Sequence, residues 1–106
     1  MITDKKIFSM LSLCQKAGKI FSGEFMCEKS IKSKEALFVI VALDASENTK
    51  KKFKELCNSS QIPLYLWGTK EELGRSIGKD DRASLAIRDP HFAKKMEQLL
   101  QDILGS

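Results

Sequence analysis

The sequence has little of what marks secreted, membrane-spanning or zinc-binding proteins. Its three cysteines are an odd number and include no CxxC pair, so their spacing indicates neither a disulfide framework nor a zinc site. The longest apolar run, Ala36 to Leu43, is far shorter than the roughly 20 residues of a transmembrane helix. The first residues do not follow the layout of a secretion signal. We therefore expect a cytoplasmic protein, not attached to a membrane, whose cysteines are buried.

Residues typical of catalytic sites are also scarce. His91 is the single histidine, and we expect it to be exposed in the first turn of a helix. Gly74 and Gly78 belong to neither a GxGxxG nor a P-loop motif. Asp44 follows the most apolar strand, where doubly wound folds place functional groups, but a receiver-type phosphate acceptor also needs paired acids after the first strand, and only Glu24 is there. The sequence predicts a protein that is not an enzyme and needs no cofactor or metal. Asp44 is expected to be a plain helix cap, with Asp44 or Ser46 capping the third helix.

Proline and glycine are too scarce to mark a linker, and 106 residues fit one domain, so residues 1–106 are predicted to form a single domain. Helical and strand-like patterns alternate along it. The predicted elements are helix 5–17, strand 19–21, helix 22–33, strand 36–42, helix 46–58, strand 64–67, helix 69–78, strand 84–87 and a helix that begins at 89–90. This alternation predicts an α/β fold, a three-layer α/β/α sandwich around a mostly buried sheet.

Two of these elements carry specific expectations about burial. Residues 36–42 are apolar without alternation, which is typical of a central strand covered by helices on both faces. The inner face of the second helix is predicted to contain Phe25 or Met26, together with Cys27 and Ile31.

The net charge of +4 is confined to the first third of the chain. Residues 1–34 contain seven lysines and three acidic residues, whereas residues 35–106 contain eleven basic and eleven acidic residues. A local basic field of this kind attracts an anionic partner. The charge alone fits a solubilising helix face equally well.

The stretch 16–34 joins this charge to the start of a helix. Helix N-termini present free amides to phosphates or base edges, and Gly23, without a side chain, lets an RNA backbone approach closely. Lys29 can donate to guanine O6 or N7, and Glu24 can accept from an amino or imino group. A capped amphipathic helix with surface lysines would have the same pattern, so both interpretations remain open at this point.

Four blocks of sequence, in the order in which they occur, carry a resemblance. They are 15–24 (QKAGKIFSGE), 43–49 (LDASENT), 68–74 (GTKEELG) and 77–79 (IGK). Together they closely resemble the bacterial YlxQ-like branch of the kink-turn-binding ribosomal protein family, the L-seven-Ae / L-thirty-e family with its Gadd-like fold. The resemblance covers nearly the whole chain, and several blocks matching in order are more specific than any one of them.

The resemblance implies an α/β/α sandwich with a mixed four-stranded sheet. It also implies binding to RNA in which tandem sheared G·A pairs sit beside a sharp bend, through the N-terminus of the second helix and the loop before the last strand, here 78–83. In ungapped register the family's glycine falls on Gly23, its guanine-contacting lysine on Lys29, and a basic strand position on Lys19. The residues that we expect to bind RNA are Lys16, Lys19, Gly23, Glu24, Lys29, Lys32, Lys79 and Arg82.

The sequence departs from the family pattern at two places. The family's Asn-Glu pair falls on Phe25 and Met26, so its amide and carboxylate contacts to the G·A pairs are absent in this register. If the alignment with the family is shifted, Glu24 takes the place of the family's glutamate, but Lys29 no longer aligns with the family's guanine-contacting lysine. The specificity loop, usually apolar and proline-containing, reads Lys79-Asp80-Asp81-Arg82 here.

Three functions are compatible with these observations. The first is a monomeric, ribosome-associated protein that binds structured, kink-turn-like RNA without being an enzyme. The second is a protein-interaction module that kept the fold and lost the RNA site. The third, to which we give least weight, is a small phosphate-handling enzyme around Asp44. A basic patch around Gly23, Lys29 and Arg82 would favour RNA, and an exposed apolar patch containing Phe25 would favour a protein partner.

Overall fold

The computed structural model describes residues 2–105 and the side chains of 4–105, so Met1 and Ser106 of the predicted domain lie outside the described residues. All nine predicted elements are present in the predicted order, with bounds that differ by a few residues. They are α1 (Ile2–Lys16), β1 (Ile20–Ser22), α2 (Glu24–Lys32), β2 (Phe38–Val41), α3 (Glu47–Ser60), β3 (Leu64–Leu66), α4 (Lys70–Ser76), β4 (Ser84–Ile87) and α5 (Pro90–Ile103).

The strands form one mixed sheet in the order β1-β4-β2-β3. β2 and β3 are parallel, whereas β4 is antiparallel to both of its neighbours. Every residue of β2 and β4 is buried. Because successive side chains of a strand point to opposite faces, this burial requires helices on both faces of the sheet. α2 packs against α3, and α1 packs against α4 and α5. The predicted three-layer sandwich with β2 inside the sheet is confirmed.

Three helices start at the same end of the sheet, where three of its strands end. β1, β2 and β3 run in the same direction, because β1 and β2 are each antiparallel to β4 and β3 is parallel to β2. These three strands therefore end where β4 begins, and α2, α3 and α4 start there. We call this place the carboxyl edge, formed by Gly23 and the segments 42–46, 67–69 and 77–83.

Two helices at the carboxyl edge begin with side-chain caps. The Ser46 hydroxyl accepts from the Thr49 N–H at the start of α3, and Thr69 and Glu72 form a capping box at the start of α4. Of the two residues expected to cap α3, Ser46 does so, whereas Asp44 acts on α4, where its Oδ1 accepts from the Lys70 N–H at 2.8 Å. The Asp44 carboxylate thereby joins the β2–α3 and β3–α4 connections.

The predicted inner face of α2 is wrong at its first turn. The Phe25 side chain is 76% exposed and Met26 is 39% exposed, whereas Cys27, Ser30 and Ile31 are buried. The reason is the helical period: at about 100° per residue, Phe25 lies roughly 200° around the helix from Cys27 and Met26 roughly 100° away. Two large apolar side chains therefore project outward at the carboxyl edge.

The cysteines are buried and free, as predicted. Burial raises the pKa of the Cys27 thiol to about 12, and it raises the pKa of Cys14 and of Cys57 to about 11. A thiol that stays protonated at neutral pH is a poor nucleophile, so these side chains act as core residues. Among residues 2–105, none of the helices has the length and apolarity needed to cross a membrane.

Candidate nucleic-acid interface

The start of α2 lacks a side-chain cap from any described residue. Gly23 stands at the N-cap with φ +90°, a conformation that favours glycine. Its N–H donates to the Ser84 carbonyl at 3.2 Å, and its own carbonyl accepts from the Cys27 N–H at 3.0 Å. The first N–H groups of the helix have no intrahelical acceptor. Together with the helix dipole, these amides make the start of α2 suited to an anion or a base edge.

Hydrogen bonds join the connections of the carboxyl edge into one surface. The Ala42 N–H donates to the Ala83 carbonyl at 2.9 Å, and the Leu43 N–H donates to the Gly68 carbonyl at 2.8 Å. With the bond from Gly23 to Ser84, they place the loop 77–83 beside the start of α2, where we expected the two parts of the site to meet.

The loop 77–83 is held by a backbone bond to the start of α4 and by the side chain of Arg82. The Arg82 N–H donates to the Lys70 carbonyl at 3.0 Å, and the Arg82 guanidinium donates to the carbonyls of Asp80 and Asp81 at 3.2 and 3.0 Å. Lys79 is exposed. Two basic and two acidic side chains cancel within this loop, so it adds shape to the interface rather than positive charge.

Gly74 supports this loop, and the sequence analysis gave it no role. It is buried inside α4, and a Cβ there would overlap the carbonyl oxygen of Asp80. The Gly74 carbonyl also accepts from the Lys79 N–H at 2.8 Å. A signal existed in the sequence, because a glycine inside a helix costs about 1 kcal/mol relative to alanine and usually has a packing reason.

The lysines of α2 are not equivalent. Glu28 accepts from Lys32 at 2.8 Å and pairs with Lys52 of α3 at 2.5 Å, so these two cations share one carboxylate. Lys29 is exposed and has no ion pair or hydrogen-bonded partner for its side chain within residues 4–105. Of the two predicted RNA-binding lysines on α2, Lys29 is available to a phosphate or a guanine, and Lys32 is partly neutralised.

Glu24 contacts the start of α3. The Thr49 hydroxyl donates to Glu24 Oε1 at 3.4 Å, and the Ser46 hydroxyl donates to Thr49 Oγ1 at 2.9 Å. This chain of polar groups joins the uncapped start of α2 to the capped start of α3. The Glu24 carboxylate stays exposed and can still accept from a base at its second oxygen.

Two predicted site residues lie away from the others. Lys16 ends α1, and Lys19 precedes β1, at the edge of the sheet opposite to Gly23. Gly23 is four positions after Lys19 along nearly extended chain, a span of about 13 Å. The structure thus groups Gly23, Glu24 and the loop 77–83 at the carboxyl edge, with Lys29 farther along α2.

The ion pairs of Glu28 predict an acid-sensitive contact. Hydrogen bonds from Lys32 and Lys52 lower the pKa of the Glu28 carboxyl from 4.5 to about 2. Because the folded-state pKa is the lower one, the pairs stabilise the fold above about pH 4.5, and this contribution is lost as the pH falls through 2. An NMR titration of the Glu28 side chain should give a midpoint near 2. In Lys52→Ala the midpoint should rise, and an unchanged midpoint would show that this pair does not form in solution.

A sequence model of the ribosomal protein L7Ae/L30e/S12e/Gadd45 family matches residues 5–97. The chain belongs to this family. It is 40% identical to the protein named RNA-binding protein YlxQ of Bacillus subtilis (strain 168), over 93 residues that cover 88% of this chain and 93% of the relative. The resemblance drawn from the four sequence blocks is confirmed.

Solved structures agree on the fold. A protein of unknown function from Bacillus halodurans C superposes with a TM-score of 0.87 at 34% identity, covering 91% of this chain and 97% of the other. The Giardia lamblia 15.5kD RNA binding protein superposes with a TM-score of 0.80 at 16% identity, covering 99% and 90%.

The names of the family and of its relatives describe RNA-binding proteins and not enzymes, in agreement with the non-enzymatic prediction. Within the described part of the chain, no three side chains of His, Cys, Asp or Glu cluster in a way that could hold a metal ion. Asp44, the residue on which a phosphate-handling site would depend, has one carboxylate oxygen occupied by the amide of Lys70. His91 is exposed, as expected.

Proposed function

We propose that this protein binds structured RNA at the carboxyl edge, with the start of α2 and the loop 77–83 as the contact surface. The observation that carries the proposal is the uncapped start of α2 beside that ordered loop. Family membership supports it, because the relatives that the chain matches are named RNA-binding proteins. In this proposal residues 1–106 act as one RNA-binding domain, as a monomer in the cytoplasm, on ribosomal or regulatory RNA that can belong to the ribosome.

The form of the site favours a bent RNA as the ligand. The free amides of α2 and Lys29 can reach phosphates or a guanine edge, while the hydrogen-bonded loop 77–83 presents a shape that a sharply turned backbone can follow. We therefore propose a kink-turn-like RNA. Phe25 and Met26 stand where the family's Asn-Glu pair falls, so selectivity for G·A pairs should be smaller than is usual in the family.

The exposure of Phe25 favours a second candidate, a protein partner at the same surface. The ring is 76% exposed, and an exposed apolar group often marks an interface. A pull-down of the intact protein followed by sequencing of bound RNA tests the main proposal. Recovery of a defined set of structured RNAs supports it, and recovery of no RNA above the background of an unrelated protein contradicts it.

Lys29→Ala should weaken RNA binding by about 1–3 kcal/mol, or roughly 5- to 150-fold in Kd, because it removes the free cation of α2. It should also lower the slope of log Kd against log salt by about 0.7–0.9 if the contact is to a phosphate. Lys32→Ala and Lys52→Ala are matched controls with smaller expected effects, because Glu28 already offsets part of their charge. Lys19→Ala should also weaken binding, but less than Lys29→Ala. Filter binding or fluorescence anisotropy at several salt concentrations measures these values, and equal losses in all four variants would place the RNA elsewhere.

A further inference from the structure

Packing within the protein does not explain the position of the Phe25 ring. It is 76% exposed, it is not among the residues that pack on the core, and it occupies the first turn of α2. An exposed phenylalanine at a helix start contributes little to folding and exposes apolar surface to water. A ligand that covers the ring would explain it.

The surroundings of the ring indicate what kind of ligand this is. Phe25 lines an open groove of about 440 Å³ on the outer face of α2. The other lining residues are Glu28, Lys29, Lys32 and Ser33. These positions follow the helical period, yet Phe25 alone among them is apolar. A docking helix or strand from a protein partner would need further apolar anchors along such a stripe, and the stripe has none.

The charge of the groove favours an anionic ligand. Lys29 lies one turn after Phe25 on the same face, and its charge is not offset by any ion pair within residues 4–105. Glu28 is held by Lys32 and Lys52, so it does not cancel Lys29. An aromatic face beside an unpaired cation is the combination with which proteins hold an unstacked nucleobase and the adjoining phosphate.

We propose that Phe25 stacks on an unpaired base of the bound RNA while Lys29 contacts the phosphate next to it. The inference rests on the proposed function and narrows its ligand to RNA that offers an unstacked nucleotide at its bend. The protein then recognises the RNA by stacking on a base rather than by polar contacts to base pairs, because Phe25 and Met26 have no polar side-chain groups with which to make such contacts. Stacking has little dependence on base identity, because every base has a π-face.

The test compares two RNAs of equal length, one bent stem with unpaired nucleotides at the bend and one continuous duplex. Phe25→Leu keeps an apolar side chain and removes the ring, so affinity for the bent RNA should fall roughly 5- to 150-fold while affinity for the duplex stays unchanged. Leu13→Ala, at a 55% exposed site on α1, is the control for loss of exposed apolar surface and should change neither affinity. Melting curves should be the same for all variants, since both sites are exposed.

A second variant gives a direct signal of stacking. The single tryptophan, Trp67, is 6% exposed and lies against Phe8, with ring centroids 4.6 Å apart. Phe25→Trp should therefore add the fluorescence of an exposed indole to that of the buried Trp67. It should retain affinity for the bent RNA, and its added emission should be quenched by the bent RNA and not by the duplex.

The outcomes separate this inference from the proposed function. If Lys29→Ala weakens binding while Phe25→Leu binds the bent RNA as tightly as the unmodified protein, the stacking proposal is overturned and RNA binding stands, and the exposed ring is left to a protein partner. If the unmodified protein binds neither RNA, the proposed function itself fails. Loss of affinity for both RNAs in Phe25→Leu would also contradict stacking, because a duplex offers no unpaired base.

Discussion

Gly74→Ala should destabilise the protein by about 2–3 kcal/mol, although alanine is the better helix former. The helical gain is about 1 kcal/mol, but the new methyl group would overlap the Asp80 carbonyl, which belongs to backbone and cannot rotate away. The loop 77–83 must therefore move off α4, and its hydrogen bond from the Lys79 N–H to the Gly74 carbonyl is strained or lost. Thermal unfolding should show a lower Tm, by about 4–8 °C for each kcal/mol.

The same substitution should weaken binding of bent RNA, because it displaces one of the two parts of the interface. Arg75→Ala is the matched control: it changes the next residue of α4, whose side chain is 76% exposed and pairs with the equally exposed Glu71. Its effect on stability should stay within about 0.5 kcal/mol. A Gly74→Ala protein with an unchanged Tm and unchanged amide chemical shifts in the loop would show that α4 and the loop are not in contact in solution.

Replacing Phe25 with Asn and Met26 with Glu should raise the preference for a kink-turn RNA over duplex. A good contact to a base edge is worth about 1–3 kcal/mol of discrimination, so the pair should gain roughly 2–6 kcal/mol if both contacts form. Both wild-type side chains project outward, so the polar replacements do not enter the core. Competition binding with the two RNAs measures the change, and a melting curve confirms that the double variant is folded.

A control for this variant is Leu13→Asn, which adds an amide at an exposed apolar site of α1 and should leave the preference unchanged. Strong selectivity in the unmodified protein would contradict the register, because it would mean that Glu24 or the residues Lys79 to Arg82 already supply the contacts. The double variant also removes the ring of Phe25. If stacking contributes to binding, the loss of the ring should offset part of the affinity for bent RNA that the two new polar contacts add.

The fold could be predicted because its determinants are local. The unbroken apolar run that contains β2, the capping box at Thr69 and the Asp89-Pro90 start of α5 each depend on neighbouring residues, and all three are present. The order of strands in the sheet does not follow from such patterns, since it depends on pairing between distant segments. The prediction of a mixed four-stranded sheet rested on the family resemblance alone.

The site was predicted less completely, for two physical reasons. Gly74 acts through a contact with Asp80 that exists only when α4 and the loop are packed together, so its role required coordinates. The basic field was inferred from the number of lysines. Which lysines are paired depends on Glu28, which contacts Lys32 of its own helix and Lys52 of α3. Phe25 or Met26 was assigned to the inner face because both are apolar, but the helical period turns both of them away from the side of Cys27.

In the proposed binding mode, part of the attraction for RNA at the carboxyl edge does not depend on side chains at all. α2, α3 and α4 all begin there, and each helix start carries about half a positive charge from its aligned peptide dipoles. Acetylation of a lysine removes its charge, but no such modification reaches a peptide dipole. A cell that acetylated Lys29 would therefore lower the affinity of the protein for RNA without abolishing it. The residual binding would stay at the same place, because the free amides at the start of α2 remain.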